Sequence, residues 1–280
     1  MQIVKTPFEL REAIKRWRLD GKSVAFVPTM GNLHEGHLHL VGEAKKKADC
    51  VVVSIFVNPT QFGAGEDFET YPRTEDEDRE KLEAEHADLL FLPSVADIYA
   101  PDAKTTVTVT GLSDRYCGAS RPGHFSGVAT VVCKLFNMVQ PDIALFGLKD
   151  FQQLTLIKTM VRDLNIPVEI AGVDTVREQS GLALSSRNGY LTDAEKNIAP
   201  QLYHSLCAAR DAILAGNRTY ADLEEQALRF LRQAGFQPDY FSVCRVGDLT
   251  KATEEDRELV LLAAAKLGRT RLIDNIYFSR

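Results

Sequence analysis

The chain has few cysteines, no long apolar run and no apolar segment of the kind found in signal peptides. An odd number of dispersed cysteines without a Cys-x-x-Cys pair argues against both a disulfide scaffold and structural zinc and fits a reducing compartment. The cysteines are Cys50, Cys117, Cys133, Cys207 and Cys244. The apolar runs at residues 51–57 and 259–265 are too short to span a bilayer. Residues 1–17 mix charged and apolar side chains. We therefore expect a soluble, cytoplasmic protein with no membrane partner.

Basic charge is not in excess either. The chain has 33 Lys and Arg against 39 Asp and Glu, which gives a net charge of −6 and a pI near 5.6. This balance argues against wholesale binding of nucleic acid, although a local basic pocket remains compatible with it. The sequence also lacks the P-loop motif, the Gly-x-Gly-x-x-Gly fingerprint and the Gly-x-Ser-x-Gly elbow.

What is present is the composition of a globular enzyme: 280 residues, 45% hydrophobic and 26% charged. Apolar, strand-like runs alternate with helical patterns over the first two-thirds, which predicts a parallel sheet covered on both faces. The predicted strands are residues 24–27, 51–57, 89–92, 143–146 and 168–173, and the predicted helices are residues 35–47, 127–139 and 150–164. Residues 105–110 alternate Thr and Val and predict a half-exposed strand outside this pattern, and the charged run at 75–85 predicts a solvated helix face.

The pattern changes near Asn188-Gly189. Thr192 to Glu195 form a capping box that predicts one helix running to about residue 214, followed by a second helix at 220–233. Three strand-like runs, with turns at Gly247 and Gly268, then predict an antiparallel group at 240–244, 259–265 and 270–278. We expect an α/β protein: a Rossmann-like parallel-sheet domain at 1–187 and a smaller α+β domain at 188–280.

The most informative motif follows the first buried strand. There, the segment from Thr29 to Leu38 contains His34-Glu35-Gly36-His37 at the predicted start of a helix. Helix N-termini attract anions because their N–H groups and dipole point outward, and two histidines three residues apart share a face. Together with Gly36, which permits close backbone approach, they predict a phosphate site.

Plainer interpretations compete with this one. A single buried, hydrogen-bonded histidine is commoner than a catalytic one. His34, His37 and His39 are close enough in sequence to suggest a metal, but His37 and His39 diverge on a helix and no cysteine pair lies nearby, so we expect no metal site.

Four other polar segments follow strand ends or helix starts, where ligands bind in open α/β sheets. Asn58 and Gln61 offer neutral donors and acceptors, although an Asn-Pro turn is usually only a turn. Arg121 is suited to clamp a carboxylate or a phosphate. In the third segment Lys149 supplies a point charge, Asp150 is equally a plain helix cap, and Gln153 lies on the first turn. The fourth, Ser185-Ser186-Arg187, combines two hydroxyls with a guanidinium, although a plain Ser-rich linker has a similar sequence.

Together these segments resemble the signature blocks of the pantoate–β-alanine ligase family, within the His-x-Gly-His nucleotidyltransferase superfamily. The blocks keep that family's order and spacing over about 160 residues; they are residues 28–40, 53–62, 71–74, 121–128, 134–153 and 177–191. Two positions depart from the pattern: Ser180 replaces an acidic residue, and Leu184 replaces a Met of similar volume.

The resemblance implies a Rossmann-like nucleotide domain, a smaller C-terminal domain that closes over the site, and a homodimer. It implies ATP-dependent condensation of (R)-pantoate with β-alanine to pantothenate through pantoyl adenylate, releasing AMP and pyrophosphate. It assigns Gln61 and Gln153 to pantoate and His37 as proton donor. The ATP site that it implies consists of Met30, Gly31, Asn32, Leu33, His34, Glu35, Gly36, His37, Gly147, Leu148, Lys149, Asp150, Val176, Leu184, Ser185, Ser186 and Arg187.

The implied chemistry suits these residue types. A carboxylate nucleophile is ionised at neutral pH, so adenylation requires alignment and cationic stabilisation of phosphate rather than a base. We therefore expect His34, His37 and Lys149 to be catalytic, Asn58, Gln61, Arg121 and Gln153 to bind substrate, and Mg²⁺ to arrive on ATP, with no prosthetic group. Three rivals remain: a transferase that leaves the nucleotide on its product, a non-catalytic nucleotide sensor, and a tRNA-charging enzyme, which the acidic balance disfavours.

Overall fold

A computed structural model describes all 280 residues and divides the chain into two compact units. The first unit comprises Met1–Leu148 and Gln153–Asp174, and the second comprises Lys149–Gln152 and Thr175–Arg280. The predicted boundary between residues 187 and 188 falls inside the second unit. None of the helices has the length and apolar character needed to cross a bilayer.

The first unit is built on a six-stranded sheet in which every neighbouring pair is parallel, in the order β1-β4-β3-β2-β5-β6. Its strands are β1 Gln2–Val4, β2 Val24–Thr29, β3 Cys50–Ile55, β4 Leu89–Phe91, β5 Ile143–Gly147 and β6 Glu169–Val173. Its helices are α1 Pro7–Leu19, α2 Glu35–Lys45, α3 Glu75–Ala84, α4 Val95–Ile98, α5 Cys117–Ser120, α6 His124–Val139 and α7 Phe151–Asp163, whose first two residues group with the second unit. The predicted Rossmann-like α/β fold is confirmed.

The strand order reverses beside β2, because β3 lies on one side of it and β5 on the other. Ligands of open α/β sheets bind at such a switch point, outside the carboxyl ends of the strands. The segments that start at Met30, Phe56 and Leu148 follow the carboxyl ends of β2, β3 and β5. The fold therefore places three of the predicted functional segments at the edge of the sheet where α/β enzymes bind ligands.

Apolar side chains of the central strands give this unit its core. Ala25 and Val27 of β2 and Val51 and Val53 of β3 are buried in one cluster with Leu40 of α2. Each is at most 8% exposed, and full burial of a Val- or Leu-sized side chain contributes about 1.5–3 kcal/mol. The start of α2 is thereby held against the sheet by its own apolar face.

The second unit contains a three-stranded antiparallel sheet in the order β7-β8-β9. The elements are α8 Asp193–Ile198, α9 Gln201–Leu214, α10 Tyr220–Gln233, β7 Gln237–Arg245, β8 Glu258–Leu267 and β9 Thr270–Ser279. Its separate core joins Leu206 of α9 and Leu231 of α10 to Leu259 and Leu261 of β8. The predicted smaller α+β part is confirmed.

Two predictions of secondary structure are wrong. Residues 105–110 form no strand, because their polar groups bond to α6 instead: the Val107 amide donates to Thr130 Oγ1 (2.9 Å), and the Thr108 and Ser126 hydroxyls are 3.0 Å apart. The predicted helix from residue 193 to residue 214 is broken between Ile198 and Gln201. Pro200 lies at the break, and a proline lacks the N–H that a continuous helix would use there.

Candidate active site

The turn between β2 and α2 is fixed by a carboxylate from another helix. Gly31 and Asn32 have φ of +81° and +49°, so two successive residues adopt the left-handed conformation. The fully buried Asp78 of α3 accepts hydrogen bonds from the amides of Asn32 and Leu33, both at 2.7 Å. Lys81, one turn later, donates to the Leu33 carbonyl at 2.8 Å. The turn is therefore held rigidly before the first histidine.

The expectation that residues 75–85 form only a solvated helix face is therefore wrong. Sequence reasoning missed Asp78 because it lies within a run of acidic residues. Asp78 and Leu82 are four residues apart and are the two buried residues of the helix. Their i, i+4 spacing, which puts both on one face, is the signal that could have identified Asp78.

His34 and His37 form a capping box at the start of α2. His34 Nδ1 accepts from the Gly36 amide at 3.1 Å, and His37 Nδ1 accepts from the His34 amide at 3.3 Å. The ring centroids lie 4.1 Å apart. A neutral imidazole that accepts at Nδ1 carries its proton on Nε2. Both rings are thus set as Nε2–H donors, which suits the binding of phosphate oxygens.

The structure corrects one part of the predicted phosphate site. The Gly36 amide donates to the His34 ring, and the amides of His37 and Leu38 donate to the His34 carbonyl at 2.8 and 3.2 Å. These N–H groups at the helix start are used within the helix itself. The predicted phosphate site therefore relies on the imidazole N–H groups, together with the positive end of the helix dipole.

A buried cluster of amides follows β3 and includes predicted residues from two segments. Asn58 is 1% exposed and donates to Gln61 Oε1 at 3.0 Å, and Gln61 Nε2 donates to Met30 Sδ at 3.0 Å. The Tyr99 hydroxyl, which sequence reasoning missed, donates to Asn58 Oδ1 at 2.9 Å. Burial raises the pKa of Tyr99, although hydrogen bonds with Thr60 and Asn58 oppose this shift. The structure thus brings Met30, Asn58 and Gln61 together.

A glycine lets α6 approach this cluster. A side chain at Gly127 would place its Cβ 2.4 Å from the Thr60 carbonyl oxygen and 2.7 Å from the Gln61 amide. The Gly127 carbonyl in turn accepts a hydrogen bond from Asn58 Nδ2 at 3.2 Å. Only glycine fits at this point of the helix.

The Arg121 guanidinium makes a bidentate ion pair with Glu66, through Nε–Oε1 at 2.7 Å and Nη2–Oε2 at 2.6 Å. Burial would raise the pKa of the Glu66 carboxyl, but the hydrogen bonds and charge of Arg121 outweigh burial and lower the pKa to about 2. His124 Nδ1 donates to the Gln61 carbonyl at 2.8 Å, and its Nε2 accepts from Arg121 at 3.0 Å. The fork of Arg121 already holds a carboxylate of the protein, and its assignment to substrate stays a prediction.

Several of the predicted ATP residues lie in the second unit. Lys149 Nζ lies 3.9 Å from Asp150 Oδ2, with the Lys149 side chain 18% exposed. Ser185 caps a 3₁₀ turn, Ser186–Tyr190, by accepting from the Arg187 amide at 3.3 Å. The capping serine gives this segment a defined conformation, so it is not a plain linker.

A short hairpin leads into the 3₁₀ turn. Arg177 and Ala183 pair as an isolated bridge, and the Leu184 amide donates to the Val176 carbonyl at 3.0 Å. Ser180, which departs from the family pattern, accepts from the Leu182 amide at 3.3 Å, and its hydroxyl donates to Glu178 Oε2 at 3.4 Å. The hairpin sets Val176 beside Leu184, two of the predicted ATP residues.

The predicted residues are distributed over both units. Those of the first unit are Met30, Gly31, Asn32, Leu33, His34, Glu35, Gly36, His37, Asn58, Gln61, Arg121, Gly147, Leu148 and Gln153. Those of the second unit are Lys149, Asp150, Val176, Leu184, Ser185, Ser186 and Arg187. No group of three or more His, Cys, Asp and Glu side chains is arranged to hold a metal ion.

Similarity to known proteins extends along nearly the whole chain. A pantothenate synthetase from Shewanella loihica is 58% identical and covers 97% of this chain and 96% of its own length. One from Methylococcus capsulatus is 57% identical, with 100% and 98% covered. The crystal structure of pantothenate synthetase from Thermus thermophilus is 45% identical, has a TM-score of 0.93 and covers 99% of each chain.

A fourth relative was crystallised with ligands. The pantoate–β-alanine ligase from Francisella tularensis, complexed with beta-gamma ATP and β-alanine, is 34% identical, has a TM-score of 0.81 and covers 99% of this chain and 97% of its own. The family model for pantoate–β-alanine ligases matches residues 2–277. That match includes the parallel sheet, the segment with His34 and His37 and the other polar segments. The chain belongs to the pantoate–β-alanine ligase family.

Proposed function

We propose that the protein catalyses the ATP-dependent condensation of pantoate with β-alanine, giving pantothenate, AMP and pyrophosphate. The observation that carries this proposal is the hydrogen bond from Gln61 to Met30 (3.0 Å). It joins two parts of the predicted site. One is the segment from Met30 to His37, which suits a phosphate, and the other is the buried cluster of neutral amides at Asn58 and Gln61, which suits a hydroxy acid. A nucleotide sensor has no use for the second part of this arrangement.

In the first step, a carboxylate oxygen of pantoate attacks the α-phosphorus of ATP, and pyrophosphate leaves with the electrons of the broken P–O bond. The carboxylate is already ionised, so this step needs no general base. His34 and His37 act through Nε2–H, and Lys149 acts through its ammonium, on the negative charge that grows on the phosphates. Ser185, Ser186 and Arg187 bind the same phosphates.

In the second step, the amine of β-alanine attacks the acyl carbon of pantoyl adenylate, AMP leaves with the electrons of the broken C–O bond, and the nitrogen releases its proton to water. Gln61 and Gln153 hold pantoate, with Asn58 fixing the Gln61 amide through the 3.0 Å hydrogen bond. His37 serves as proton donor in the reaction. No side chain forms a covalent bond to the nucleotide.

Three further features belong to this proposal. Mg²⁺ enters with the phosphates of ATP, as is usual for this hard cation, which keeps several waters and substrate oxygens as ligands. The protein is a homodimer, and sedimentation equilibrium tests this by measuring its mass in solution. It works in the cytoplasm, where thiols stay reduced; all five of its cysteines are thiols.

The proposal is tested by measuring isotope exchange between pyrophosphate and ATP. We expect exchange to require pantoate and to proceed without β-alanine, because the adenylate forms reversibly before the amine enters. Addition of β-alanine should then release AMP and pantothenate in equal amounts. A nucleotidyltransferase would leave the nucleotide on its product, and a covalently adenylated protein would contradict the mechanism.

A further inference from the structure

Two adjacent polar residues lie buried in the middle of β9. Asp274 and Asn275 are each 5% exposed, in a strand that contributes Leu272 to the core of the second unit. Successive side chains of a strand point to opposite faces, so the two can hold different partners. A buried polar group is stable only with hydrogen bonds. Both residues find their partners in segments that the proposed function assigns to ATP.

Asn275 holds the turn that contains Lys149. Its Nδ2 donates to the Lys149 carbonyl at 2.8 Å. Two residues further along each segment, the rings of Phe151 and Tyr277 lie 5.9 Å apart. Lys149–Gln152 is accordingly grouped with the second unit, although the residues on either side of it belong to the first. The backbone of Lys149, the proposed catalytic cation, is therefore anchored to β9 by a side-chain amide.

Asp274 holds the hairpin that leads to Ser185-Ser186-Arg187. Its carboxylate makes a bidentate pair with Arg177, at 2.6 and 2.8 Å. Burial opposes the charge of Arg177, but the hydrogen bonds and charge of Asp274 prevail and raise the pKa of Arg177. The Arg177 guanidinium also donates to the Gly181 carbonyl at 3.1 Å and lies 3.7 Å from the centre of the Tyr203 ring.

The two anchors are joined through the backbone of β9. The backbone N–H of Asn275 donates to Asp274 Oδ1 at 2.8 Å. The carboxylate that binds Arg177 therefore also binds the next peptide group of the strand. We propose that Asp274 and Asn275 are positioning residues that fix Lys149 and the 176–187 segment on one strand for adenylation. This inference rests on the proposed function, and neither residue is expected to touch the reacting atoms.

The test compares Asn275→Asp with Asp239→Asn. The first variant keeps the shape of Asn275 and replaces the N–H donor with a second oxygen facing the Lys149 carbonyl. The second removes a different tether in the same sheet, the Asp239–Arg271 ion pair (2.6 Å), whose two residues lie outside the predicted ATP segments. Asn275→Ala serves if the aspartate variant does not fold, and Asn275→Gln tests rescue by another amide.

Two rates are measured for each variant: pantoate-dependent exchange of pyrophosphate with ATP, and single-turnover aminolysis of preformed pantoyl adenylate by β-alanine. We expect Asn275→Asp to slow exchange about tenfold, the effect of one lost hydrogen bond. The rate of aminolysis should change by less than about twofold, because pyrophosphate has left before this step begins. Asp239→Asn should leave both rates at their normal values, and Asn275→Gln should recover part of the exchange rate.

Hydrogen exchange of the backbone at residues 148–153 gives a readout that does not depend on activity. It should rise in Asn275→Asp and stay unchanged in Asp239→Asn. Equal losses in adenylation and aminolysis, or unaltered protection at 148–153, would overturn the positioning role. If the normal protein shows no pantoate-dependent exchange, the proposed function fails, whereas backbone protection still decides whether Asn275 anchors the turn.

Discussion

His34 and His37 each use one ring nitrogen in the helix cap, which leaves the other nitrogen for the predicted phosphate contact. Nδ1 accepts a backbone amide at the start of α2, and Nε2 carries the proton. The two interpretations that sequence left open, a hydrogen-bonded structural histidine and a phosphate ligand, are therefore compatible in the same side chain. A test of either role therefore requires a variant that changes the capping hydrogen bond and the phosphate contact to different extents.

We predict that His37→Ala lowers the rate of adenylation by about 10²–10³, the usual loss for one donor to developing charge. It also removes the capping acceptor for the His34 amide, so we expect about 1 kcal/mol of lost stability. His37→Gln restores a capping-box acceptor and His39→Ala changes an exposed histidine of the same helix. Kinetics and urea unfolding are measured for all three. Near-normal adenylation in His37→Ala would leave His37 with its capping role alone.

The Glu66–Arg121 pair predicts a pH dependence of stability. The folded pKa of Glu66 is about 2, against an ordinary value of 4.5. A lowered pKa means that its stabilisation is complete above about pH 4.5 and is lost as the pH falls toward 2. After discounting for solvent screening, we expect about 1–2 kcal/mol from this group. Glu66→Gln should flatten the unfolding free energy over that window, measured by urea titration at several pH values. An unchanged slope would contradict the pairing.

At the scale of elements, α3 supports the turn that precedes α2. Asp78 receives two amide hydrogen bonds of 2.7 Å in a fully buried position, and bonds of this kind to a charged acceptor are among the stronger ones. The backbone at Asn32 requires such support because a positive φ, here +49°, is unfavourable for a residue other than glycine. The geometry of the turn between β2 and α2 thus depends on a helix about 45 residues later in the chain.

We predict that Asp78→Asn destabilises the protein by about 2–4 kcal/mol, because one of the two amides then faces an N–H group and loses its acceptor. The KM for ATP should rise as the turn loosens. Asp76→Asn is the matched control, since Asp76 lies on the same helix with its side chain 91% exposed. Urea unfolding and ATP kinetics on both variants check this. If the two variants had the same unfolding free energy and the same KM for ATP, Asp78 would have no role in the turn.

The elements differ in how far sequence could determine them. The capping box at Thr192 and the buried strand after α2 depend on local pattern. The capping box is present as predicted, and the strand predicted at 51–57 is found at Cys50–Ile55. Residues 105–110 have a strand pattern, yet their hydrogen bonds go to α6, which no local rule reveals. Family motifs could point to Gln61 and Lys149. The residues that hold the motif segments in place lie outside every motif: Tyr99 and Asn275 are found only by tertiary contact, and Asp78 has only its spacing from Leu82 as a local signal.

For the whole molecule, the two units have separate apolar cores, one around β2 and β3 and one around α9, α10 and β8. The predicted ATP residues are divided between the units: Met30 to His37 belong to the first, and Lys149 with Leu184 to Arg187 belong to the second. Neither set alone contains every cation that the proposed adenylation uses. If the predicted ATP residues are correct, binding of the nucleotide should affect segments in both units.

We predict that an ATP analogue with a non-cleavable α,β bond slows backbone hydrogen exchange at residues 30–38 and at residues 184–188. The protection follows because bound phosphate stabilises the local structure of each segment against opening. Helix α10 contains no predicted ATP residue and should keep its exchange rate, as a control within the second unit. Mass spectrometry of peptic peptides measures all three regions in one experiment. In Arg187→Lys, which keeps the charge but loses the planar fork, protection at 184–188 should weaken. Protection confined to residues 30–38 in the unaltered protein would remove Ser185, Ser186 and Arg187 from the nucleotide site.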